Sequence, residues 1–256
     1  MAPETAVLVT AGLVGLVIGS FLNVCIVRLP NHESLVRPRS KCPKCGEPIA
    51  WYDNVPVLSW LLLLGKCRHC KAPISAQYPL IEAAVGGLWA AAFAYYGLTW
   101  VALTGAIFST LLLGIAMTDA RHYLIPDEYT LGGLVIGLLL SLQRGFPGLL
   151  DAALGAAVGF LLLYAVAWAG EKMFGQEAMG GGDIKMMAMV GSFVGWQGVL
   201  LTVFGGAALG TLIFIPLSFG RKRLVPFGVF LALAAGGVFV VGGAIVRWYM
   251  NFLRAA

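Results

Sequence analysis

Charged residues are scarce in this sequence. Of its 256 residues only 11% are charged and three are histidine, whereas 59% are hydrophobic. No soluble domain of this size needs so much apolar surface, and apolar runs of roughly 20 residues are long enough to cross a bilayer as helices. The composition therefore excludes a soluble globular protein and predicts a polytopic membrane protein. The 34 glycines, many of them within the apolar runs, indicate close helix–helix packing.

The N-terminus also lacks the pattern of a cleaved secretion signal. No basic residue precedes the apolar run from Ala6 to Val27, and its flanking arginine, Arg28, comes after it. That order is the reverse of a signal peptide, and the run is longer than the apolar core of one. We expect a retained helix whose N-terminus lies outside.

The remaining apolar runs define the predicted topology. They lie at about 79–97, 99–118, 128–143, 148–170, 186–219 and 225–250. The run at 186–219 is too long for one helix, and the sequence GWQG at 195–198 is the natural place for a break, which gives eight crossings. Eight crossings place 14 of the 17 Lys and Arg residues on the cytoplasmic side, as the positive-inside rule predicts. The net charge of +5 therefore records orientation rather than an acidic partner.

The predicted fold class is an all-α polytopic membrane protein with about eight transmembrane helices. A small cytoplasmic, zinc-ribbon-like domain is expected between the first and second helices. The predicted division is residues 1–27 for the first transmembrane helix, 28–78 for the cytoplasmic domain and 79–256 for a seven-helix membrane domain. The middle segment is too polar to span a membrane, since it holds eight of the 17 basic residues and four of the five cysteines.

Two carboxylates fall at the same predicted membrane face. Asp119 ends the third run, and Asp183 follows three glycines in the sequence MGGGDIK at 179–185. Glycines let a substrate chain approach closely, and ionisable groups at membrane level suggest function. Two aspartates that share a proton can act as acid and base on a water that attacks a peptide carbonyl. Two independent acids, each capping a helix or pairing with Arg121 or Lys185, account for the same pattern.

Other titratable residues near this face have structural interpretations. Asp127 follows Ile125 and Pro126 and precedes an apolar run, so we predict an N-cap, with a direct part in catalysis as the alternative. His122 suits a general base or a surface contact. Glu82, near the start of the second run, is either a functional acid or a favourable charge at a helix N-terminus.

Four cysteines form two CxxC pairs separated by 21 residues: Cys42, Cys45, Cys67 and Cys70. The frame CPKCGEPI at 42–49 recurs 25 residues later as CRHCKAPI at 67–74. Two such knuckles around one tetrahedral ion predict a structural zinc site. Two disulfides are the alternative, although a cytoplasmic domain lies in a reducing compartment. His69 is expected to be a bystander, and Cys25 to pack within the first helix.

The 28–78 segment has no glycine-rich strand–turn–helix pattern, which excludes the common nucleotide-binding folds there. Its aromatic residues between the knuckles, Trp51, Tyr52 and Trp60, either line a binding site or anchor the domain on lipid headgroups.

In combination these motifs resemble those of bacterial type IV prepilin peptidases, membrane aspartic peptidases of the GxGD kind. The resemblance extends over nearly the whole chain. It rests on Asp119 with IPD at 125–127, GGGDIK at 180–185, GSFLNV at 19–24, RLP at 28–30, both cysteine pairs, YPLIE at 78–82 and VPFG at 225–228. Val229 stands where the family usually has a second proline, and we expect that departure to affect helix packing more than chemistry.

The resemblance implies that Asp119 and Asp183 are the catalytic pair. Gly180, Gly182, Lys185 and Asp127 would shape the site. It further implies cleavage of the leader of type IV prepilins or of pilin-like secretion proteins (pseudopilins), at the cytoplasmic face of the bacterial inner membrane. The enzymes of this family with the cysteine domain also N-methylate the new N-terminus with S-adenosylmethionine. The sequence does not locate the methyl donor; Glu82 is one candidate for binding it, and Trp51, Tyr52 and Trp60 are candidates for lining its site.

Two other classes of protein fit parts of the pattern. A proton-coupled transporter would also bury acids, but at least one would lie deep within a helix. A zinc-ribbon membrane scaffold would tolerate the loss of both aspartates. Partners expected are the pilin-like substrates and the lipid bilayer, with no nucleic acid, and the sequence leaves the oligomeric state open.

Overall fold

The computed structural model describes residues 3–176, 179–218 and 226–255. Within these ranges the regular structure is helical, with two isolated β-bridges in the cysteine-rich segment. The α-helices are α1 Pro3–Arg28, α2 Leu58–Leu62, α3 Gln77–Tyr96, α4 Trp100–His122, α5 Asp127–Ser141, α6 Gly145–Phe174, α7 Gly181–Ser218 and α8 Phe227–Ala255. The apolar runs thus fold as helices close to the predicted positions.

Helix α7 is broken where the sequence predicted. Gly195 has φ 70° and ψ 175°, which is not helical, so two helical pieces meet there. A residue with a side chain rarely adopts this φ, whereas glycine adopts it without steric cost. The predicted break in the 186–219 run is therefore confirmed, while the helix begins five residues earlier, at Gly181.

Five segments in the described ranges are long and apolar enough to cross a membrane. They are Glu4–Asn31, Trp100–His122, Asp127–Phe174, Gly181–Ile213 and Phe227–Arg254. The third contains both α5 and α6, and the fourth contains the break at Gly195. The multi-pass membrane fold is confirmed, and the number of eight crossings stays a prediction.

The chain divides into two compact units, residues 1–110 (unit 1) and 111–256 (unit 2). In unit 1, α1 lies directly against α3. A Cβ at Gly15 would come 2.9 Å from Cα of Gly86, and one at Gly19 would come 2.8 Å from Cα of Glu82. The glycines of α1 therefore mark a tightly packed helix face, as expected for small residues in membrane helices. The boundaries predicted at residues 27 and 78 remain predictions.

In unit 2, α7 packs against α5, α6 and α8. Its contact with α6 is closest at two facing glycines. A Cβ at Gly155 would overlap the carbonyl oxygen of Gly191, and a Cβ at Gly191 would overlap the carbonyl oxygen of Gly155. This contact fixes the first half of α7, which carries Asp183 at its start.

Gly191→Ala is expected to destabilise unit 2. The added methyl meets backbone rather than a movable side chain, so the two helices must separate, at a cost of about 1–3 kcal/mol. The measurement is the thermal unfolding midpoint in detergent. Gly132→Ala is the matched control, since a Cβ at Gly132 meets nothing within 4 Å. Equal midpoints for the two variants would contradict the close packing.

Candidate functional site

Two aspartates of unit 2 come together at helix ends. Asp119 lies in the last turn of α4 and is 6% exposed, and Asp183 lies in the first turn of α7. Their carboxylates are close enough to interact electrostatically. The structure therefore brings together the two acids that the sequence placed at one membrane face, and each is at the end of a helix rather than deep within one.

Asp119 is held by the N-terminus of α8. The backbone N–H of Val229 donates to Oδ2 of Asp119 at 3.1 Å, and the N–H of Gly228 also hydrogen-bonds to this carboxylate. The first N–H groups of a helix have no partner within it, so they suit an anion. A Cβ at Gly228 would lie 2.9 Å from Oδ2, which explains the glycine.

The departure at Val229 also adds a contact to Asp119, while the expectation that it affects helix packing more than chemistry stays a prediction. Proline has no N–H, so a proline at this position could not make the bond to Asp119 that Val229 makes. The sequence gives no sign of this contact, because a backbone donor leaves no side-chain signature.

Val229→Pro is expected to keep leader-peptide cleavage within about threefold of the parent protein, because proline is the family's usual residue here and the donor at Gly228 remains. Position 229 lies in the first turn of α8, where proline is tolerated, so the protein should stay folded. Cleavage kinetics of Val229→Pro beside Val229→Ala, which keeps the N–H, provide the measurement. A loss of about tenfold or more in Val229→Pro alone would show that this chain depends on the Val229 donor.

Asp183 lies beside an open stretch of backbone. Its N–H donates to the carbonyl of Gly180 at 3.2 Å, and its Oδ1 is buried with no hydrogen-bond partner among the described residues. A Cβ at Gly181 would meet nothing within 4 Å, and one at Gly180 would meet only the Asp183 carboxylate, at 3.7 Å. Among the described residues, the backbone before Asp183 thus leaves room for a ligand chain close to this carboxyl group.

Ile125 packs against the N-termini of both α7, which carries Asp183, and α8, which binds Asp119. A Cβ at Gly182 would lie 3.0 Å from Cβ of Ile125, and one at Gly228 would lie 2.8 Å from its Cδ1. Ile125 is 7% exposed. Gly182 is therefore needed for packing against Ile125 rather than for open space. The sequence marked Ile125 only as part of the IPD motif, since its contacts depend on tertiary structure.

The predicted N-cap role of Asp127 is wrong. Pro126 occupies the N-cap position of α5, with no side-chain cap bond, and Asp127 is the first helical residue. Its carboxylate binds Nζ of Lys185 at 2.7 and 2.8 Å, which links the first turns of α5 and α7. Both side chains are substantially exposed, so the pair orients the helices more than it stabilises the fold. His122 is exposed at the end of α4.

The four predicted metal ligands of unit 1 form one cluster. The sulfur atoms of Cys42, Cys45, Cys67 and Cys70 all lie within 4.8 Å of one another, and no disulfide joins them. The Sγ atoms of Cys42 and Cys70 are 3.8 Å apart. Four sulfurs at about 2.3 Å from a tetrahedral ion are about 3.8 Å apart, so the cluster fits a metal better than it fits two disulfides. The group contains no histidine, and Cys25 is buried in α1.

The internal sequence repeat is also a structural repeat. The bridge between Lys41 and Pro48 recurs between Lys66 and Pro73. In each knuckle the backbone N–H of the first cysteine donates to the carbonyl oxygen five residues later. The distance is 2.9 Å from Cys42 to Glu47 and 2.8 Å from Cys67 to Ala72. Two similar half-sites therefore face one centre.

The two cysteines of the first knuckle differ in acidity. The N–H groups of Cys45 and Lys44 lower the pKa of the Cys42 thiol to about 6. Despite a hydrogen bond from the N–H of Glu47, desolvation and the neighbouring sulfur atoms raise the pKa of the Cys45 thiol to about 11. A thiolate is the form that binds a metal ion, so Cys42 is ready to bind one and metal binding would release the proton of Cys45.

The aromatic residues between the knuckles have separate environments. Trp51 is 76% exposed and Tyr52 lies under the guanidinium of Arg68, which forms an ion pair with Asp53. That pairing lowers the pKa of Asp53. Trp60 instead donates its Nε1–H to the carbonyl of Ile74 at 3.1 Å. Exposure suits Trp51 to a lipid surface, whereas Trp60 is part of the domain's own packing.

Two family models match the sequence. The model of the bacterial peptidase A24 N-terminal domain matches residues 13–96, and that of the type IV leader peptidase family matches residues 106–215. The first match contains the cysteine cluster, and the second contains both aspartates. No solved structure gives a significant match.

Several curated relatives are similar over most of the chain, and each is named a prepilin leader peptidase/N-methyltransferase. The protein from Myxococcus xanthus is 42% identical over 84% of this chain, which spans 64% of that protein's length. The relative from Aeromonas hydrophila is 38% identical, with 94% of this chain and 93% of that protein covered. The relative from Pseudomonas aeruginosa is 36% identical, with 94% of this chain and 92% of that protein covered. None of these matches favours a transporter or a scaffold.

Proposed function

Because the chain belongs to the type IV leader peptidase family, we propose that Asp119 and Asp183 are its catalytic pair and that it removes the leader peptides of prepilins and pseudopilins. One observation carries this proposal. A buried Asp119, bound by backbone N–H groups, interacts with a second carboxylate beside an open glycine backbone. Such a pair suits hydrolysis of a peptide bond.

The chemistry follows from two carboxyl groups that share one proton. The ionised carboxylate accepts a proton from water as the water oxygen attacks the scissile carbonyl carbon. The protonated partner donates to the carbonyl oxygen, and the C–N bond breaks as the leaving amine takes a proton. The α8 N–H groups fix the orientation of Asp119. The Oδ1 of Asp183 is buried and has no hydrogen-bond partner among the described residues, which suits it to carry the shared proton.

We place both the active site and the cysteine domain at the cytoplasmic face of the bacterial inner membrane. The distribution of Lys and Arg supports this orientation. A pilin-like precursor suits such a site, because its apolar helix stays in the bilayer while its polar leader crosses the glycines before Asp183. Gly180, Lys185 and Asp127 border this path in the first turns of α7 and α5 or just before them.

The cysteine cluster would hold a structural zinc ion. Four thiolates complete a tetrahedral shell, so no position is left for a substrate or a water. Zinc is the proposed metal because four sulfur ligands in a tetrahedral arrangement are typical of this borderline-soft ion.

The second proposed activity is N-methylation of the new N-terminus, with S-adenosylmethionine as the methyl donor. The names of the relatives support it. In the reaction the neutral amine nitrogen takes the methyl group from the sulfonium, the S–CH₃ bond breaks, and the nitrogen then loses a proton.

The function is tested by mass spectrometry of a purified prepilin incubated with the purified full-length protein, with and without S-adenosylmethionine. We expect the leader to be lost in both reactions. The mature protein should gain about 14 Da, the net change from H to CH₃, only when the donor is present. An intact leader in both reactions would return the transporter and scaffold hypotheses. Cleavage without the mass increase would refute methylation alone.

A further inference from the structure

Unit 1 contains a cavity that the peptidase function does not use. It lies between the inner end of α1, the cysteine domain and the first turns of α3, and its volume is about 830 Å³. This is within the range of about 300–1,000 Å³ typical of small-molecule sites. We call it the α1–α3 cavity, and its lining includes Ser20, Asn23, Glu47, Asp53, Val57 and Glu82.

A buried negative group lines the α1–α3 cavity. Glu82 is 8% exposed, and its carboxylate accepts hydrogen bonds from neutral donors, the backbone N–H of Val57 at 2.6 Å and the hydroxyl of Ser20. No cation pairs with it among the described residues. The other carboxylates of the lining differ, since Asp53 is paired with Arg68 and Glu47 is exposed. A buried acid without a cation tends to stay protonated, and a cationic ligand would stabilise its ionised form.

The backbone at Val57 is strained to make this contact. Val57 has φ 60° and ψ −50°, a conformation that a β-branched residue rarely adopts. Strain of this kind persists where the surrounding structure enforces it, and it is enriched at functional sites. Here it directs an N–H to the Glu82 carboxylate.

A second buried group of the lining has an unused acceptor. The side chain of Asn23 is 2% exposed, and its Nδ2 donates to the carbonyls of Gly19 and Tyr78 at 3.3 and 3.0 Å. Its Oδ1 has no partner among the described residues. An unpaired buried acceptor is unfavourable, so a donor from a bound molecule would complete it.

We propose that the α1–α3 cavity is the binding site of the methyl donor, with Glu82 facing its positive charge and Asn23 accepting one of its N–H or O–H groups. This inference rests on the proposed methylation and adds the place of the donor. The donor of that reaction is a cationic sulfonium that also carries an amine, hydroxyls and an adenine, so it matches an unpaired carboxylate and a free acceptor. The lining also contains Arg28, Lys41, Lys44 and Arg68, which suit the carboxylate of the donor, so the preference for the sulfonium charge is local to Glu82.

The test is calorimetric binding of S-adenosylmethionine and of S-adenosylhomocysteine to the full-length protein in nanodiscs. The second compound lacks the methyl group and the positive charge on sulfur. Glu82→Gln is expected to weaken binding of the first about tenfold or more and of the second less than about threefold, because only the first loses a charge–charge contact. The matched control is Glu47→Gln, an exposed acid on the same cavity, which should change neither affinity more than about twofold.

Equal weakening of both compounds, or none, in a Glu82→Gln protein that still cleaves prepilin would overturn this site. If that variant does not fold, ultraviolet cross-linking of S-adenosylmethionine to the unmodified protein decides. Labelled peptides from 17–28 or 72–82 support the cavity, and label confined to unit 2 contradicts it. If the wild-type protein methylates its product but the cross-linked label lies outside the cavity, the site is refuted and the methylation stands. If the wild-type protein neither binds the donor nor methylates, the proposed methylation itself is refuted.

Discussion

Asp183→Asn and Asp119→Asn are each expected to lower leader cleavage by at least about 1,000-fold while leaving the protein folded. Each change removes one of the two groups that exchange protons with water and substrate, and general acid–base catalysis contributes about 10²- to 10⁴-fold. Asp183→Asn should not reduce stability, since two carboxylates that interact repel each other when both are ionised. Asp119→Asn weakens the hydrogen bonds from α8, so we expect a lower unfolding midpoint for this variant than for Asp183→Asn. The measurement is the single-turnover rate of prepilin cleavage, with the unfolding midpoint recorded for each variant.

The double variant decides whether the two acids act together. If Asp119 and Asp183 form one catalytic unit, the double variant is no slower than the slower single variant, because the second loss removes nothing that still functions. If they are independent acids, the losses multiply. Asp127→Asn is the control: it breaks only an exposed ion pair with Lys185, so we expect less than a tenfold loss.

Removal of the metal is expected to unfold the cysteine domain. Residues 40–74 contain few elements of regular structure, so their fold depends on the cluster. Structural zinc sites of this kind contribute apparent binding free energies of about 10–16 kcal/mol at neutral pH. Protein treated with a strong chelator should lose about one zinc per chain, and amide hydrogens of this segment should then exchange far faster. Elemental analysis and hydrogen–deuterium exchange provide the two readings.

Cys42→Ser and Cys25→Ser form a matched pair for this prediction. Both cysteines are buried in unit 1, and only Cys42 belongs to the cluster. We expect loss of zinc and faster exchange at residues 40–74 in the first variant and neither effect in the second. A Cys42→Ser protein with full zinc content would show that the cluster is not the metal site.

Local patterns in the sequence predicted those parts of the structure that depend on one segment. The Gly195 break followed from the length of an apolar run, and the two knuckles followed from a repeated eight-residue frame. The meeting of Asp119 and Asp183 needed only one further step, the count of crossings between them. In each case the side chains themselves carried the signal.

The remainder could not be predicted because it depends on backbone groups or on neighbours distant in sequence. Every residue except proline has an N–H, so nothing marked Val229 as a donor to a carboxylate 110 residues away. The packing of Ile125 against Gly182 and Gly228 forms only when the N-termini of α7 and α8 are close together. The ion pair between Asp127 and Lys185 likewise requires the N-termini of α5 and α7 to meet. Asp127 does lie at a helix start, as its residue type predicts, but it occupies the first helical position rather than the N-cap.

The break at Gly195 makes the depth of the active site a property of the lipid as well as of the protein. The piece of α7 at residues 181–194 is about 21 Å long at 1.5 Å per residue, which is shorter than a hydrocarbon core of about 30 Å. A helix this short meets a thick bilayer by thinning it locally or by drawing its own end inward. Asp183 is at that end, so we expect acyl-chain length and sterol-like thickening agents to change the distance between this proposed catalytic carboxylate and the aqueous leader.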